Sequence, residues 1–369
     1  MTRRTLHLVG FAVLMLAVLA LRWSTFRGMW STPAVDAWIA TRFVLASLLF
    51  CTLMLARDAW LRRRAWASDR ALRDVEESEP AAPGRSPYQI AARRFTENGL
   101  AMLALYVIMA MCLVAMLAPL LAPYDPAAID DPVATRHLVP SAQHLFGTDE
   151  FGRDWFSRAV YGARVSLSVG ILAVIVAVTF GTIYGSVAGY FGGFVDNALM
   201  RFVDVIMAFP TFFLMLMLVG VFEADLVVLV LILGLTSWTG TARFIRGEIL
   251  SLKERDFIEA ARAMGLPHRL VIFRHLIPNA MAPVLVSAAL MVGGMIGAEA
   301  GLSFLGIGIR PPTPSWGNMV SQGQDALLVA WWVAMFPGLL LSITILSFNL
   351  LADGLRDALD PKTLMRKYV

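Results

Sequence analysis

Read for its apolar and polar positions, the chain alternates long hydrophobic runs with short polar segments. Eight runs reach or approach the about 20 apolar residues that a helix needs to cross a bilayer: 5–21, 37–56, 98–121, 166–190, 198–221, 226–242, 280–304 and 331–351. The first ends Leu21-Arg22-Trp23 with no small-x-small cleavage site and is expected to stay as a span. Segment 57–97 breaks the pattern. It carries a charge run, the acidic Asp74-Val75-Glu76-Glu77-Ser78-Glu79 and then Pro80, Pro83 and Pro87, without apolar periodicity. It reads as a solvated linker. The expected organisation is a helix pair (1–56), this linker (57–97), a six-helix core (98–361) and a short tail (362–369).

Basic residues orient the spans, because cytoplasmic loops retain Lys and Arg. Arg3 and Arg4 precede the first span, and Arg57, Arg62, Arg63, Arg64, Arg70, Arg73, Arg93 and Arg94 follow the second. Arg243, Arg246, Lys253, Arg255, Arg262, Arg269 and Arg274 follow the sixth, and Arg356, Lys362, Arg366 and Lys367 close the chain. The alternate segments are poor in basic residues. Both termini are therefore expected in the cytoplasm. Trp155, Trp316, Trp331 and Trp332 fall at the expected outer boundary, where amphipathic rings settle. The fold class expected is an all-α polytopic membrane protein in the plasma (inner) membrane.

Composition agrees with this and narrows the function. Hydrophobic residues make up 58% and charged residues 16% of the 369, against about 45–50% and about 25% in ordinary globular proteins. The net charge is only +4, without a basic stripe for nucleic acid. The three lysines, Lys253, Lys362 and Lys367, do not follow a glycine, so no Gly-Lys-Ser/Thr phosphate loop exists in this chain. Energy from nucleotide hydrolysis has to enter through a partner. Cys51 and Cys112 sit in apolar runs, and His137 and His144 read as polar loop residues, so no metal or cofactor is expected in this chain.

One cytoplasmic segment, within 243–278, is more than a connector. Residues 250–264 are dense in helix formers, with Phe257, Ala261 and Met264 on one helical stripe. Gly265 is placed for a left-handed cap and Pro267 for the opening of a second short helix, on which Leu266, Leu270, Phe273 and Ile277 recur. Such an element either lies on the lipid surface or docks another protein.

The pattern Glu259-Ala260-Ala261, three residues, Gly265, then Ile277-Pro278 resembles the EAA loop of ABC-importer permeases, EAA-x3-G-x9-I-x-L-P. It departs at His275 and Ile277, and the run from His275 to Asn279 resembles the peptide branch of the family. Four further segments resemble that branch: Phe146 to Asp154, Ala188 to Gly193, Glu299 to Gly306, and Pro311 to Asn318. Asn349 to Asp357 does so as well. The resemblance spans about residues 96–361 and is to the second permease subunit of dipeptide/oligopeptide importers; the same branch handles nickel complexes.

The resemblance implies a six-helix type I importer permease that forms a translocation pathway with a sister permease. It also implies two ATPase subunits, which bind ATP and Mg, and an extracytoplasmic binding protein that delivers a peptide. Asp256, Phe257, Glu259, Ala260, Ala261, Arg262 and Gly265 would couple this chain to an ATPase: Glu259 as an ionic or capping contact, Ala260 and Ala261 as close-packing surface, Gly265 as the bend. The chain itself would be no enzyme. The alternative is a secondary carrier or channel, which would need ion-coupling groups in the membrane, and Glu299 is the one candidate.

Glu299 is the sole charged residue between Asn279 and Gly308. It is either a functional intramembrane acid or a hydrogen-bonding group between helices. Gly181-x3-Gly185-x3-Gly189 and Gly293-x3-Gly297-x3-Gly301 offer small-residue faces for packing within the chain or against the sister permease. Asp149, Glu150, Arg153 and Asp154 either meet the binding protein or form a salt-bridged helix start.

Overall fold

The computed structural model describes residues 87–359, apart from Asp130, Pro132, Glu223 and Ala224. The spans expected at 5–21 and 37–56 lie outside the described residues. The described residues are helical, with a single isolated bridge between Thr148 and Asp154. Among the described residues, five helices are long and apolar enough to cross a membrane, and a sixth span is reached where a bent pair counts as one.

The end of the expected linker is already structured. Helix α1 (Pro87–Glu97) opens on the proline that the first turn tolerates. The Asn98 side chain then accepts from Ala101 N and starts α2 (Gly99–Met116), the first core span. A four-residue turn, α3 (Ala118–Leu121), ends it.

Helix α4 (Trp155–Phe191) begins eleven residues before the expected apolar run, since 166 − 155 = 11. Asp154 caps it by accepting from Ser157 N at 2.8 Å and Ser157 Oγ at 2.6 Å. Hydropathy misses this first part because it contains Arg158, which the fold buries completely. Its Nη1 donates to the carbonyls of Pro126 (3.0 Å) and Pro312 (3.4 Å), and Nε lies 3.9 Å from Asp149 Oδ2.

Helices α5 (Gly193–Met207) and α6 (Thr211–Val221) cover the expected span 198–221, but they meet at 79°. Pro210 supplies the break: it has no N–H to continue a ladder. Helix α7 (Leu226–Leu252) runs ten residues beyond the expected 242, since 252 − 242 = 10. Helix α8 (Asp256–Ala263) and a short turn α9 (His268–Leu270) form the loop that follows it. A wider π-helical stretch, Val271–Leu276, then feeds α10 (Ile277–Phe304). The expected second amphipathic helix is thus continuous with the span that follows it. Helix α11 (Trp316–Asp325) and the last span, α12 (Trp332–Leu359), complete the fold.

The centre of the bundle is the α4–α7 pair, brought close by the first glycine stripe. A Cβ on Gly181 would fall 2.7 Å from Thr241 Cβ, one on Gly189 3.0 Å from Ile249 Cβ, and one on Gly185 onto the Ala242 carbonyl. This stripe packs within the chain, as close backbone approach through small residues predicts. The second stripe is looser and also internal: Gly293 and Gly297 face Ile345 of α12, and Gly301 faces Phe212 of α6.

Three of the four tryptophans expected at the outer boundary are instead buried in the bundle. Trp155 Nε1 donates to Val333 O at 2.9 Å and Trp316 Nε1 to Ala159 O at 3.0 Å, while Trp332 packs in the same cluster as Trp155. Trp331 alone of the four is exposed. The amphipathic ring that sequence pattern assigns to lipid headgroups equally suits a buried site with a backbone carbonyl in reach.

Candidate functional site

The loop between α7 and α10 is built on a buried apolar seat. Ile258 of α8 is completely buried among Tyr190 at the end of α4, Ile245, Ile249 and Leu252 of α7, and Val271, Ile272 and Leu276 of the π-helical stretch. Ala261, one turn on, is buried as well. These two residues face inward because they lie at i and i+3 on one side of the helix. The expected stripe of Phe257, Ala261 and Met264 is corrected accordingly: Phe257 and Met264 are exposed, and Ile258 is the anchor. Periodicity places both sets about equally well, and the packing partners decide between them.

The helix ends in a full Schellman motif. Gly265 has φ +76, its N–H donates to Arg262 O at 2.9 Å, and Leu266 N donates to Ala261 O at 3.2 Å. Leu266 then packs on the Ile258 cluster, the apolar contact that commonly accompanies this cap. The bend at Gly265 therefore turns the chain back onto its own seat.

Of the expected coupling residues, Asp256, Phe257, Glu259, Ala260, Arg262 and Gly265 are exposed and share this short arm, and Ala261 is not accessible. Asp256 and Glu259 stand in the first turn, where carboxylates favour a helix N-terminus. Arg262 turns back: its guanidinium carbon sits 5.0 Å from the centre of the Tyr190 ring. The hydroxyl of Tyr190 is 2.7 Å from Nδ1 of His268. Tyr190 lies in the Ala188 to Gly193 segment quoted above, whereas no quoted motif singles out His268, and the contact between them across 78 residues is not visible in the sequence.

Glu299 is completely buried. Its Oε1 accepts from Ser303 Oγ at 2.7 Å and its Oε2 from Ser166 Oγ at 3.3 Å. Ser166 Oγ accepts in turn from Trp316 N at 3.1 Å, and Ser303 Oγ from Ile309 N at 3.2 Å. Ser315 and Asn318 form a capping box at the start of α11 beside this group. The acid thus knots α4, α10 and α11 together, which is the hydrogen-bonding reading.

The cluster around Asp149 forms a salt-bridged helix start. Arg153 Nε donates to Asp149 Oδ2 at 2.7 Å, Asp154 caps α4 and also accepts from His144 Nδ1 at 2.9 Å, and all three of Asp149, Arg153 and Asp154 are buried. Glu150 is exposed.

Residues 178–365 match the family model of the binding-protein-dependent transport system inner membrane component. Residues 86–140 match the N-terminal TM domain of oligopeptide transport permease C. An oligopeptide transport system permease protein, OppC, of Haemophilus influenzae is 40% identical over 76% of this chain and 90% of its own length. A dipeptide transport system permease protein, DppC, of Alkalihalophilus pseudofirmus is 40% identical over 75% and 90%. A glutathione transport system permease protein, GsiD, of Escherichia coli is 40% identical over 75% and 91%.

Proposed function

This chain belongs to the family of binding-protein-dependent transport system inner membrane components, and from that premise we propose that it forms the path for a peptide cargo. In this reading it pairs with a sister permease, receives cargo from an extracytoplasmic binding protein and takes its drive from ATPase subunits seated on α8. The relatives named for oligopeptide, dipeptide and glutathione transport support the cargo class.

One observation carries the coupling role. Helix α8 presents Asp256, Phe257, Glu259 and Ala260 outward while Ile258 and Ala261 fasten it to the cytoplasmic ends of α4, α7 and α10. A partner pushing on the outer face therefore moves the ends of three spans as one body. That is what a two-state transporter requires: the partner's nucleotide state must differ in its contacts with the two arrangements of the permease. Glu259 offers the charge, Ala260 the bare backbone for close approach, and Gly265 the turn that holds the arm in place.

The test is uptake. Glu259→Lys and Gly265→Val are expected to leave the chain inserted and abolish ATP-dependent uptake of di- or tripeptides, with the ATPase lost on purification for Glu259→Lys. Full uptake by both variants would remove the coupling role.

A further inference from the structure

A second surface, away from α8, has properties that lipid does not tolerate. The α5–α6 span is interrupted at Ala208, Phe209 and Pro210. Its depth follows from its neighbours. Val203 is buried against Ala177 of α4 and Trp238 and Ala242 of α7, and the distance from Leu226, the outer end of α7, to those two α7 residues is about 18–24 Å at 1.5 Å per residue. Beyond the elbow, a Cβ on Gly301 would touch the Phe212 ring at 3.7 Å. Gly301 is next to the Glu299–Ser166 contact, and Ser166 lies about 16 Å along α4 from Trp155. The elbow is thus near the middle of a hydrocarbon layer about 30 Å thick.

On this face and just inward of it, charged side chains stand open. Arg201 is 86%, Asp204 44% and Arg243 48% exposed. Asp204 bonds Arg243 across to α7 and lies 4.0 Å from Arg201. A second rung lies toward the cytoplasm, where Arg246 donates twice to Asp196, at 2.5 and 2.6 Å. Arg243 directly follows Ala242, so this rung lies about 26 Å from the outer end of α7, at the inner edge of that layer. An irregular backbone at the depth of the elbow is confined to protein or to the wall of an aqueous cavity. The break therefore excludes the elbow from lipid, and the charged rung marks the inner mouth beside it.

We infer that the α5–α6 elbow and the Asp204–Arg243 rung below it line the aqueous route by which the importer's cargo crosses. The inference rests on the permease reading above and assigns it a wall. The surface carries both charge signs, with Phe209 and Phe213 exposed beside them, chemistry that suits a zwitterionic, variably apolar cargo such as a short peptide without selecting one side chain.

Thiol accessibility tests this. With Cys51 and Cys112 replaced by serine, Thr211→Cys and Phe209→Cys, both at the elbow, are each assembled with the partner subunits in sealed vesicles, beside Leu103→Cys on α2. A charged, membrane-impermeant methanethiosulfonate is expected to modify the first two at least about tenfold faster than the third, since water reaches only them. A saturating tripeptide delivered by the binding protein is expected to slow that modification. Rates equal to Leu103→Cys, or reaction only with a lipid-soluble maleimide, would overturn the inference, and so would protection from both reagents in the assembled complex but not in the lone chain. Either of the two variants suffices should the other fail to assemble. Modification reads water access without ATP turnover, whereas failure of the cysteine-free complex to take up any peptide would count against the permease reading instead.

Discussion

The phenol of Tyr190, at the C-terminal end of α4, meets Nδ1 of His268 at 2.7 Å, while the face of the same ring lies under Arg262. One side chain of the central span thereby holds both ends of the Gly265 bend. Tyr190→Phe removes the hydroxyl and leaves the ring, at a cost of about 0.5–1.5 kcal/mol for a single hydrogen bond. The expected result is faster amide exchange across 256–270 with little change in melting temperature, and more ATP consumed per peptide taken up. Tyr190→Leu, which also removes the ring under Arg262, is expected to enlarge both effects.

Gly265 is constrained by its backbone and not by its surroundings. Its φ is +76, and a Cβ added there would meet no neighbouring atom within 4 Å. A side chain at this position faces only the left-handed penalty, about 1–2 kcal/mol for an ordinary residue and less for asparagine. Gly265→Asn is therefore expected to retain most uptake and Gly265→Val to lose it, measured in membranes with matched amounts of inserted chain.

Ala260 and Ala261 are adjacent in sequence and opposite in role. Ala260 is exposed and Ala261 is 2% exposed in the seat of α8. Ala261→Leu is expected to destabilise by about 1–3 kcal/mol through overpacking, seen as a lower melting temperature in detergent. Ala260→Leu is expected to leave the melting temperature unchanged and to reduce co-purification of the ATPase. Identical behaviour of the two variants would contradict this division.

Glu299 holds its place through acceptor oxygens. Glu299→Gln keeps an acceptor for Ser303 or Ser166 and is expected to preserve folding and transport. Glu299→Leu strands both hydroxyls in a buried site, at about 1–3 kcal/mol for an unmet polar group. Its expected signature is a lower melting temperature together with loosened protection in 305–318, the segment that reaches this knot through Ile309 and Trp316.

Much of the α8 arm is legible in the sequence. Gly265 is recognisable as a cap, since a left-handed turn after a run of helix formers has few other solutions, and the Glu259-Ala260-Ala261 pattern locates the exposed arm. The anchor is not legible. Phe257 and Ile258 are neighbours of similar hydrophobicity, and only the cluster around Tyr190, Ile245 and Leu276 determines that Ile258 turns inward. Likewise the start of α4 escapes hydropathy because Arg158 reads as a membrane boundary until the carbonyls of Pro126 and Pro312 are seen to receive it.

By itself the sequence determined the number of core spans and the direction expected of them, because bilayer crossing depends on summed hydropathy over about 20 residues and orientation on loop arginines, both local quantities. It also located the α8 arm through a contiguous motif. The tertiary structure alone decided which residues of that arm are seat and which are surface. It also decided that three tryptophans face inward, that Glu299 is a knot between helices, and that the α5–α6 span breaks open beside a charged face. The reason is distance along the chain. Ser166 finds Glu299 across 133 residues and Arg246 finds Asp196 across 50. Burial, hydrogen bonding and ion pairing at such separations depend on which helices become neighbours, a property that no window along the sequence contains.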